Sequence, residues 1–500
     1  MSRRLPVLLF VAIAAVECAL VFVPAVAGAF FVFDDYANLD AARSFRLAAL
    51  FDIPVMGMFR PVGFAALKAQ FALFGWTTPA GYVAVVAVLN LLNAILLAFV
   101  LRAFGENEVV RWLAAAFFLV FPPANEAHVW FACEFDLLCV TGVLVSLLLC
   151  AAAIRVGIAA RRVLFLAVLA AGSLLLALLA KEVALAAPLF LIALALGRPG
   201  RPATVPFRRV LASAALSAIP AGAFVALRMG VMPLNESHYG APLQLFREAP
   251  LLLHLWRYAV AMFSYPYFGA SHGAAVVTHG AGLLAFVGVL LGLRAAGVRA
   301  GAASCAASVG FLALVLWTGA ALEAAVGGRL VYAAALPIAF LFGVGADSAA
   351  AAIREASGAQ DRSTLPLAGA LLLAAFFVGA CLSGLSLQRY WNDAFALARS
   401  VVDQVERLPA RPNVFVRNLP REFRGGPYVL KCYAFPIYIA RRRGRAPEFR
   451  CDSVAVERRG TDIFEAGLRE PDAYSGYVEP RPDELSVELD LQIRQRPAGR

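Results

Sequence analysis

The sequence predicts an all-α polytopic membrane domain followed by a small soluble α/β domain. Of its 500 residues, 61% are hydrophobic and only 15% are charged, and the mean hydropathy is +0.76. Soluble globular proteins average about 25% charged residues. Apolar stretches long enough to cross the hydrocarbon core of a bilayer recur from residue 5 to residue 386. Most of the chain is therefore expected to lie in a membrane.

The apolar runs predict about eleven transmembrane helices. The first run is interpreted as a retained helix, because it is long, contains Glu17 and has no clear small-x-small cleavage site. Two further segments, 60–75 and 250–269, contain basic residues and are broken by Pro or Gly, which favours interfacial or half-inserted helices. The predicted spans are 5–31, 80–102, 109–123, 136–154, 163–180, 183–197, 208–227, 281–294, 302–322, 330–346 and 365–386.

Basic residues in the gaps between runs predict the orientation. Lys and Arg are enriched in cytoplasmic loops, so alternate gaps rich in Arg are assigned to the cytoplasm. This topology divides the chain into a transmembrane domain, 1–386, and an extracytoplasmic domain, 387–500, in a plasma or bacterial inner membrane. The net charge of +11 is explained by these loops and by the Arg-rich tail, and it does not indicate nucleic-acid binding. The cytoplasmic assignment rests on Arg3, Arg4, Arg102, Arg111, Arg155, Arg161, Arg162, Arg198, Arg201, Arg208, Arg209, Arg294, Arg299, Arg354 and Arg362.

The tail has the patterns of a folded domain. Apolar residues at helical spacing predict a helix over 387–408, and 414–416 and 428–430 are typical of short strands. Alternation of apolar and polar residues over 485–493 predicts a half-buried strand. Cys432 and Cys451 either form a disulfide, if this domain is extracytoplasmic, or stay free thiols.

Charged residues at the membrane edge are the candidates for function, because a charge at the bilayer centre costs about 2.5–3.5 kcal/mol on insertion scales. Asp34 and Asp35 open the first long loop. Adjacent carboxylates raise each other's proton affinity, which suits one of them to general-base catalysis. Arg60 ends that loop, where a guanidinium can bind a phosphate through two hydrogen bonds. The alternatives are a solvated loop start or helix cap for the acids and a snorkelling anchor for Arg60.

Three later gaps on the same predicted side carry further polar residues. The gap between the third and fourth spans contains Glu126 and His128 and leads into Asp136, and these three could orient a sugar or an acceptor. Lys181 and Glu182 form a tight turn in which the acid could hold a phosphate-binding lysine in place. Arg329 and Tyr332 begin a late span, where the arginine could reach a lipid phosphate. Each of these also has a structural interpretation as a surface residue or membrane anchor. We expect all of these groups to converge on one face of the membrane.

Read in order, these segments resemble the GT-C superfamily of polyprenyl-phosphate-sugar glycosyltransferases, in particular the branch of protein O-mannosyltransferases and lipid A aminoarabinose transferases. The resemblance covers most of residues 1–346. Two positions depart from the family pattern: Glu134 replaces a common Arg, and Gly328 replaces a common Glu. The matching elements are Asp34-Asp35, Arg60-Pro61 before Leu73-Phe74-Gly75, Pro122, Glu126, Trp130 and Asp136-Leu137-Leu138, Lys181-Glu182 with Pro188, and Arg329 with Tyr332.

The resemblance implies a hexosyl or pentosyl transferase that uses a polyprenyl-phosphate sugar as donor and a glycan, lipid or protein hydroxyl as acceptor. It implies that Asp34 or Asp35 deprotonates the acceptor, which attacks with inversion at the anomeric carbon. Arg60, Lys181, Arg329 and Tyr332 would bind the lipid phosphate, and Glu126, His128, Asp136 and Glu182 the sugar or acceptor. Some members of the superfamily use a divalent metal ion at the acidic loop and others do not, so a metal at Asp34 and Asp35 stays open.

Three other functions are compatible with the sequence. A transporter or flippase of lipid-linked saccharides would need charges along a path through the membrane, and Glu17 is one of few. An O-antigen ligase or polymerase would favour a large late outer loop, for which 228–280 is the candidate. A scaffold that presents the tail would need none of these groups.

Overall fold

A computed structural model describes most of the chain. The first membrane crossing consists of α1 (Leu5–Glu17), a π-helical turn (Cys18–Phe22) and α2 (Val23–Gly28). The described residues are 5–46, 59–154, 159–196, 207–231, 251–268, 271–316, 328–356, 367–408, 413–423, 427, 429–430, 448–459, 462–470 and 485–491.

Most of the remaining helices follow the predicted apolar runs, whereas the helices Asp35–Ser44 and Asn125–Val129 lie in segments predicted as loops. Short 3₁₀ turns (Pro122–Ala124, Phe131–Cys133, Glu182–Ala186 and Gly328–Val331) connect several of them. The helices are α3 (Asp35–Ser44), α4 (Pro61–Phe74), α5 (Pro79–Ala103), α6 (Glu108–Leu119), α7 (Asn125–Val129), α8 (Glu134–Ala153), α9 (Ala160–Ala180), α10 (Ala187–Leu196), α11 (Phe207–Leu216), α12 (Ala218–Val231), α13 (Leu251–Ala261), α14 (His272–Leu316), α15 (Ala335–Ala356) and α16 (Leu367–Glu406).

The prediction of a polytopic helical membrane domain is confirmed. Among the described residues, 8 helical segments are long and apolar enough to cross a membrane. The predicted span 281–294 and the described part of 302–322, up to Leu316, lie in one element, α14, which is kinked at Gly297 (φ 76°). The predicted spans 109–123 and 183–197 correspond to the shorter helices α6 and α10. Leucines and valines on α9 face outward, as expected for a lipid-exposed helix.

The two segments predicted as interfacial form short helices. α4 has 14 residues and α13 has 11. At about 1.5 Å per residue, neither reaches the roughly 30 Å thickness of the hydrocarbon core. A partial insertion is therefore the geometry that their lengths allow.

Helices α14 and α15 pack through glycines. Gly288 and Gly292 are four residues apart on α14, and a Cβ atom at Gly345 of α15 would lie 1.9 Å from the Gly288 carbonyl oxygen. Small residues at this spacing let helix backbones approach closely inside a membrane. This contact encloses α15, which is among the most buried of the spans in the described chain.

The tail is an α/β unit built on the last membrane helix. α16 continues without a break from the membrane run to Glu406, and its predicted apolar positions, including Trp391, Phe395 and Val402, are buried. The described strands form a four-stranded sheet in the order β3-β2-β1-β4, in which only β2 and β3 are antiparallel. The strands are β1 (Asn413–Phe423), β2 (Glu448–Arg459), β3 (Asp462–Glu470) and β4 (Leu485–Val487).

The strand predictions for the tail are confirmed in part. Residues 414–416 lie in β1, and alternate burial extends from Leu485 to Leu491, although the ladder ends at Val487. Residues 429–430 bond to the end of β1 through their backbone N–H groups, without forming a separate strand. Cys451 on β2 is disulfide-bonded, and Cys432 lies outside the described residues.

Gly345→Ala tests the packing of α14 on α15. The added methyl group would overlap the Gly288 carbonyl, so we expect a loss of about 1–3 kcal/mol of stability, as for other overpacked cores. The readout is thermal unfolding of the purified protein in detergent. Gly280→Ala on α14 is the matched control, because a Cβ there meets nothing within 4 Å. Equal unfolding temperatures for both variants would contradict the close contact.

Candidate active site

The acidic pair lies in a tight turn between the first membrane crossing and α3. The Asp35 N–H donates to the Val32 carbonyl oxygen (2.9 Å), and the Asp35 Oδ2 accepts from the Val32 N–H (2.8 Å). Phe33, at the first central position, has φ 46°, the one positive φ outside glycine in the described chain. Left-handed backbone costs a residue with a Cβ roughly 1–2 kcal/mol. The surroundings must therefore hold this turn in place.

The two carboxylates differ in environment. Asp35 is fully buried, and its Oδ1 accepts a hydrogen bond from the Trp130 indole N–H at 2.7 Å. Burial raises the pKa of Asp35 well above its ordinary value, although the bonds from Val32 and Trp130 and the charge of Arg329 oppose the rise. Asp34 is partly exposed. Of the pair, Asp34 is thus the carboxylate that a ligand can touch.

Trp130 connects the acidic turn to the late basic motif. The Arg329 guanidinium lies over the Trp130 ring, with its Cζ 4.7 Å from the ring centroid. Buried Glu126 accepts a hydrogen bond from the Arg329 backbone N–H (3.1 Å), and its other oxygen lies 3.8 Å from Arg329 Nη1. Burial raises the pKa of Glu126, and the nearby Arg329 opposes the rise. Glu126 and Trp130 together hold Arg329 from two sides.

Gly328 makes this approach possible. A Cβ atom at Gly328 would lie 2.3 Å from the Pro123 carbonyl oxygen, so a side chain there would push the Arg329 turn away from Glu126. The close backbone contact therefore explains why this chain has glycine at position 328.

One buried and one partly buried ion pair complete the cluster. Lys181 Nζ pairs with Asp136 Oδ1, and Arg60 Nη2 pairs with Glu182 Oε1 at 3.1 Å. The sequence suggested that Lys181 is held by its neighbour Glu182. In the structure Lys181 points to α8, because its extended backbone (φ −161°, ψ 139°) turns successive side chains to opposite sides. Arg60 also lies over the Phe135 ring, 5.7 Å from its centroid.

Electrostatic interactions join these pairs into one network. Arg329 acts on Asp35, and both Lys181 and Asp136 act on Glu126. Arg60 and Lys181 both stabilise the charged form of Glu182. The structure therefore brings together eight of the candidate residues: Asp34, Asp35, Arg60, Glu126, Asp136, Lys181, Glu182 and Arg329.

His128 and Tyr332 lie in the packing beneath this network. His128 Nδ1 is 3.8 Å from a carboxylate oxygen of Glu17 on the first membrane crossing, and burial lowers the pKa of His128 to about 3. Tyr332 is fully buried and its hydroxyl accepts a hydrogen bond from Asn93 (3.2 Å). Their rings are 6.4 Å apart. Both residues support the turns that carry Glu126 and Arg329.

The sequence alone indicates no role for Trp130, although the residue stands in one of the motifs that carry the resemblance. Glu126 and Trp130 are four residues apart, which on a helix places two side chains on the same face. That spacing was the available signal. The contact with Asp35, which is 95 residues away along the chain, had no local signature.

The described residues contain no group of three or more His, Cys, Asp or Glu side chains that could hold a metal ion. Both oxygens of Asp35 already accept hydrogen bonds from the protein.

Comparison with known proteins gave matches among solved structures only. No family model and no curated protein sequence matches the chain. One similar structure is the oligosaccharyltransferase AglB from Archaeoglobus fulgidus in complex with an inhibitory peptide and a dolichol-phosphate (13% identity, TM-score 0.46). The alignment covers 89% of this chain but only 64% of AglB. Another is ArnT from Cupriavidus metallidurans bound to undecaprenyl phosphate (14% identity, TM-score 0.48, 89% of this chain and 85% of that chain).

Trp130→Phe tests the central contact. The variant keeps a ring beneath Arg329 but leaves Asp35 Oδ1 buried without its donor, so we expect a loss of about 1–3 kcal/mol of stability. Thermal unfolding in detergent measures it.

Trp112→Phe is the matched control for this variant. Trp112 Nε1 also donates to a carboxylate, Glu108, but that side chain is 37% exposed and water can replace the bond. If both variants unfold at the wild-type temperature, the Trp130–Asp35 contact does not stabilise the turn.

Proposed function

We propose that this protein is a membrane glycosyltransferase that moves a sugar from a polyprenyl-phosphate donor to a hydroxyl acceptor with inversion. The observation that carries the proposal is the network of carboxylates and cations joined through Trp130 and Glu126. Its members come from the five sequence motifs that resemble the GT-C superfamily. A hydroxyl must lose a proton and a lipid phosphate must leave, and this network offers both an acid–base group and cations.

Asp34 is the residue to which we assign the general base. A base must come within about 2.6–3.2 Å of the proton that it removes. Partial exposure of Asp34 supports contact with an acceptor hydroxyl, whereas Asp35 is enclosed. Asp35 then acts by holding the turn, through its bonds to Val32 and Trp130.

Arg329 is the cation to which we assign direct contact with the leaving phosphate. Its side chain is 27% exposed, compared with 9% for Arg60 and 5% for Lys181. Positive charge placed where negative charge develops lowers the barrier of the transfer. Lys181 and Arg60 are more deeply buried and are paired with Asp136 and Glu182, so we assign them positive potential at the site rather than the first contact with the phosphate.

The remaining groups position these two. Glu126 holds the Arg329 turn, and Glu182, with a side chain 22% exposed, is the second carboxylate that a sugar hydroxyl can reach. Tyr332 and His128 shape the floor of the site. Because the described residues offer no third metal ligand beside Asp34 and Asp35, we derive no step through a metal ion.

The site belongs, in this proposal, to the outer face of the membrane, on the same side as the tail. The alternation of basic gaps supports this orientation. So does the disulfide at Cys451, because disulfides persist in oxidising compartments. The donor is then a lipid-linked sugar in the outer leaflet, and the acceptor is a glycan, lipid or protein hydroxyl.

Asp34→Asn is expected to lower the turnover of sugar transfer at least about a hundredfold, because it removes the general base. The measurement uses purified protein in lipid nanodiscs with labelled polyprenyl-phosphate sugars and follows which acceptor gains label. Asp40→Asn on the same helix, α3, is the matched control and should retain wild-type turnover.

The same assay separates the alternatives. Near-normal transfer by Asp34→Asn and by Asp35→Asn would remove the acid-pair mechanism. Movement of a lipid-linked saccharide across a vesicle membrane, without transfer, would indicate a flippase. A ligase or polymerase site in 228–280 falls partly outside the described residues, which exclude 232–250.

A further inference from the structure

The segment that leads into the acidic turn is held by the C-terminal part of the chain. Arg399, near the end of α16, donates from Nη2 to the carbonyl oxygen of Ala29 at 3.1 Å and to that of Gly28 at 3.4 Å. Its guanidinium also lies over the Phe30 ring, with Cζ 5.3 Å from the centroid. These carbonyls end the first membrane crossing, where a helix C-terminus favours a cation.

A second contact from the tail is made to the turn itself. The Phe33 N–H donates to the Val429 carbonyl oxygen at 3.0 Å. Val429 is in turn bonded through its own N–H to Arg421 at the end of β1 (2.8 Å). The residue with the positive φ is thus tied to the sheet through one backbone hydrogen bond. A turn with positive φ at its first central position normally takes Gly there, so an external tie compensates for the presence of Phe.

A third contact reaches Trp130. Trp391 of α16 is fully buried and stacks on the Trp130 ring, with centroids 5.9 Å apart and planes inclined by 30°. Nearby, the Asn392 side chain packs so closely on the first crossing that a Cβ at Gly28 would lie 2.7 Å from its Oδ1. The extension of α16 beyond the membrane therefore contacts both the backbone before Asp34 and the indole that binds Asp35.

We propose that the chain after the last membrane span is part of the catalytic machinery, with Arg399 and Trp391 as positioning residues that hold the Ala29–Phe33 segment and thereby aim the acidic turn. The effect on catalysis rests on the proposed function. The restraint of the Ala29–Phe33 segment rests on the contacts alone. In this proposal the tail positions the acidic turn. A tail that only bound an acceptor or covered the site would not need these contacts. Arg399 and Trp391 touch neither donor nor acceptor in this assignment.

The test compares Arg399→Met with Arg399→Lys and with Arg407→Met, an exposed arginine in the turn just after α16 that serves as the matched control. Hydrogen–deuterium exchange of the peptide spanning 29–37 is measured by mass spectrometry in nanodiscs, without substrate. We expect Arg399→Met to accelerate exchange in this peptide about tenfold, because it loses a local restraint. In Arg399→Lys, which keeps a donor and a charge, exchange of this peptide should equal that of the wild type. The same is expected for Arg407→Met.

Transfer kinetics provide the second readout. Misplacement of a catalytic group by about 1 Å can cost a hundredfold in rate, so we expect Arg399→Met to lower kcat by about that factor while KM changes less than about twofold. Arg399→Lys should restore most of the kcat. Trp391→Leu is an independent variant, which should lower kcat in the same way by removing the stack on Trp130.

The outcomes separate this inference from the function on which it rests. If no donor supports transfer by the wild type, exchange in 29–37 still decides whether the tail restrains the turn. Unchanged exchange and unchanged kcat in both Arg399→Met and Trp391→Leu would overturn the inference and leave the proposed function standing. A rise in KM with kcat intact would also overturn it, because it would assign the tail to substrate binding.

Discussion

The cluster depends on the cost of burying charge. Lys181 and Arg60 lie almost fully inside a helical protein, where an unpaired ion costs several kcal/mol. Each is therefore matched to a carboxylate on a different element, which fixes α4, α8 and the 3₁₀ turn after α9 relative to one another. Such pairs contribute little net stability, but separating them is expensive. The result is a rigid arrangement in which few alternative placements of the cations are possible.

Around this arrangement, aromatic residues and glycines determine which charges stay accessible. Trp130 covers Asp35 and supports Arg329 on its ring, so one side chain buries a carboxylate and presents a cation. Gly328 lets the Arg329 turn approach Glu126 closely enough for a backbone hydrogen bond. Neighbouring side chains therefore determine which carboxylates and which cations of the site are exposed and which are enclosed. Two residues of the same charge can have separate roles for this reason.

Much of the fold could be predicted from the sequence, because apolar runs report membrane helices directly. Within the described residues, each predicted span overlaps a helix, and burial alternates over 485–491 as the pattern indicated. The pairing of the charges could not be predicted in the same way. Lys181 and Glu182 are adjacent, yet each has its partner in another element, since partners are set by tertiary packing. The positive φ of Phe33 likewise has no sequence signal, because the bond that holds it comes from Val429.

The bond between Phe33 and Val429 joins two parts of the polypeptide that are far apart in sequence, and this has a consequence for biogenesis. During synthesis, the first crossing and its acidic turn leave the ribosome long before the segment that restrains them. The turn can gain this bond only after the segment around Val429 has been made and has paired with β1. Premature termination upstream of Val429 would thus yield a protein whose acidic turn lacks this restraint.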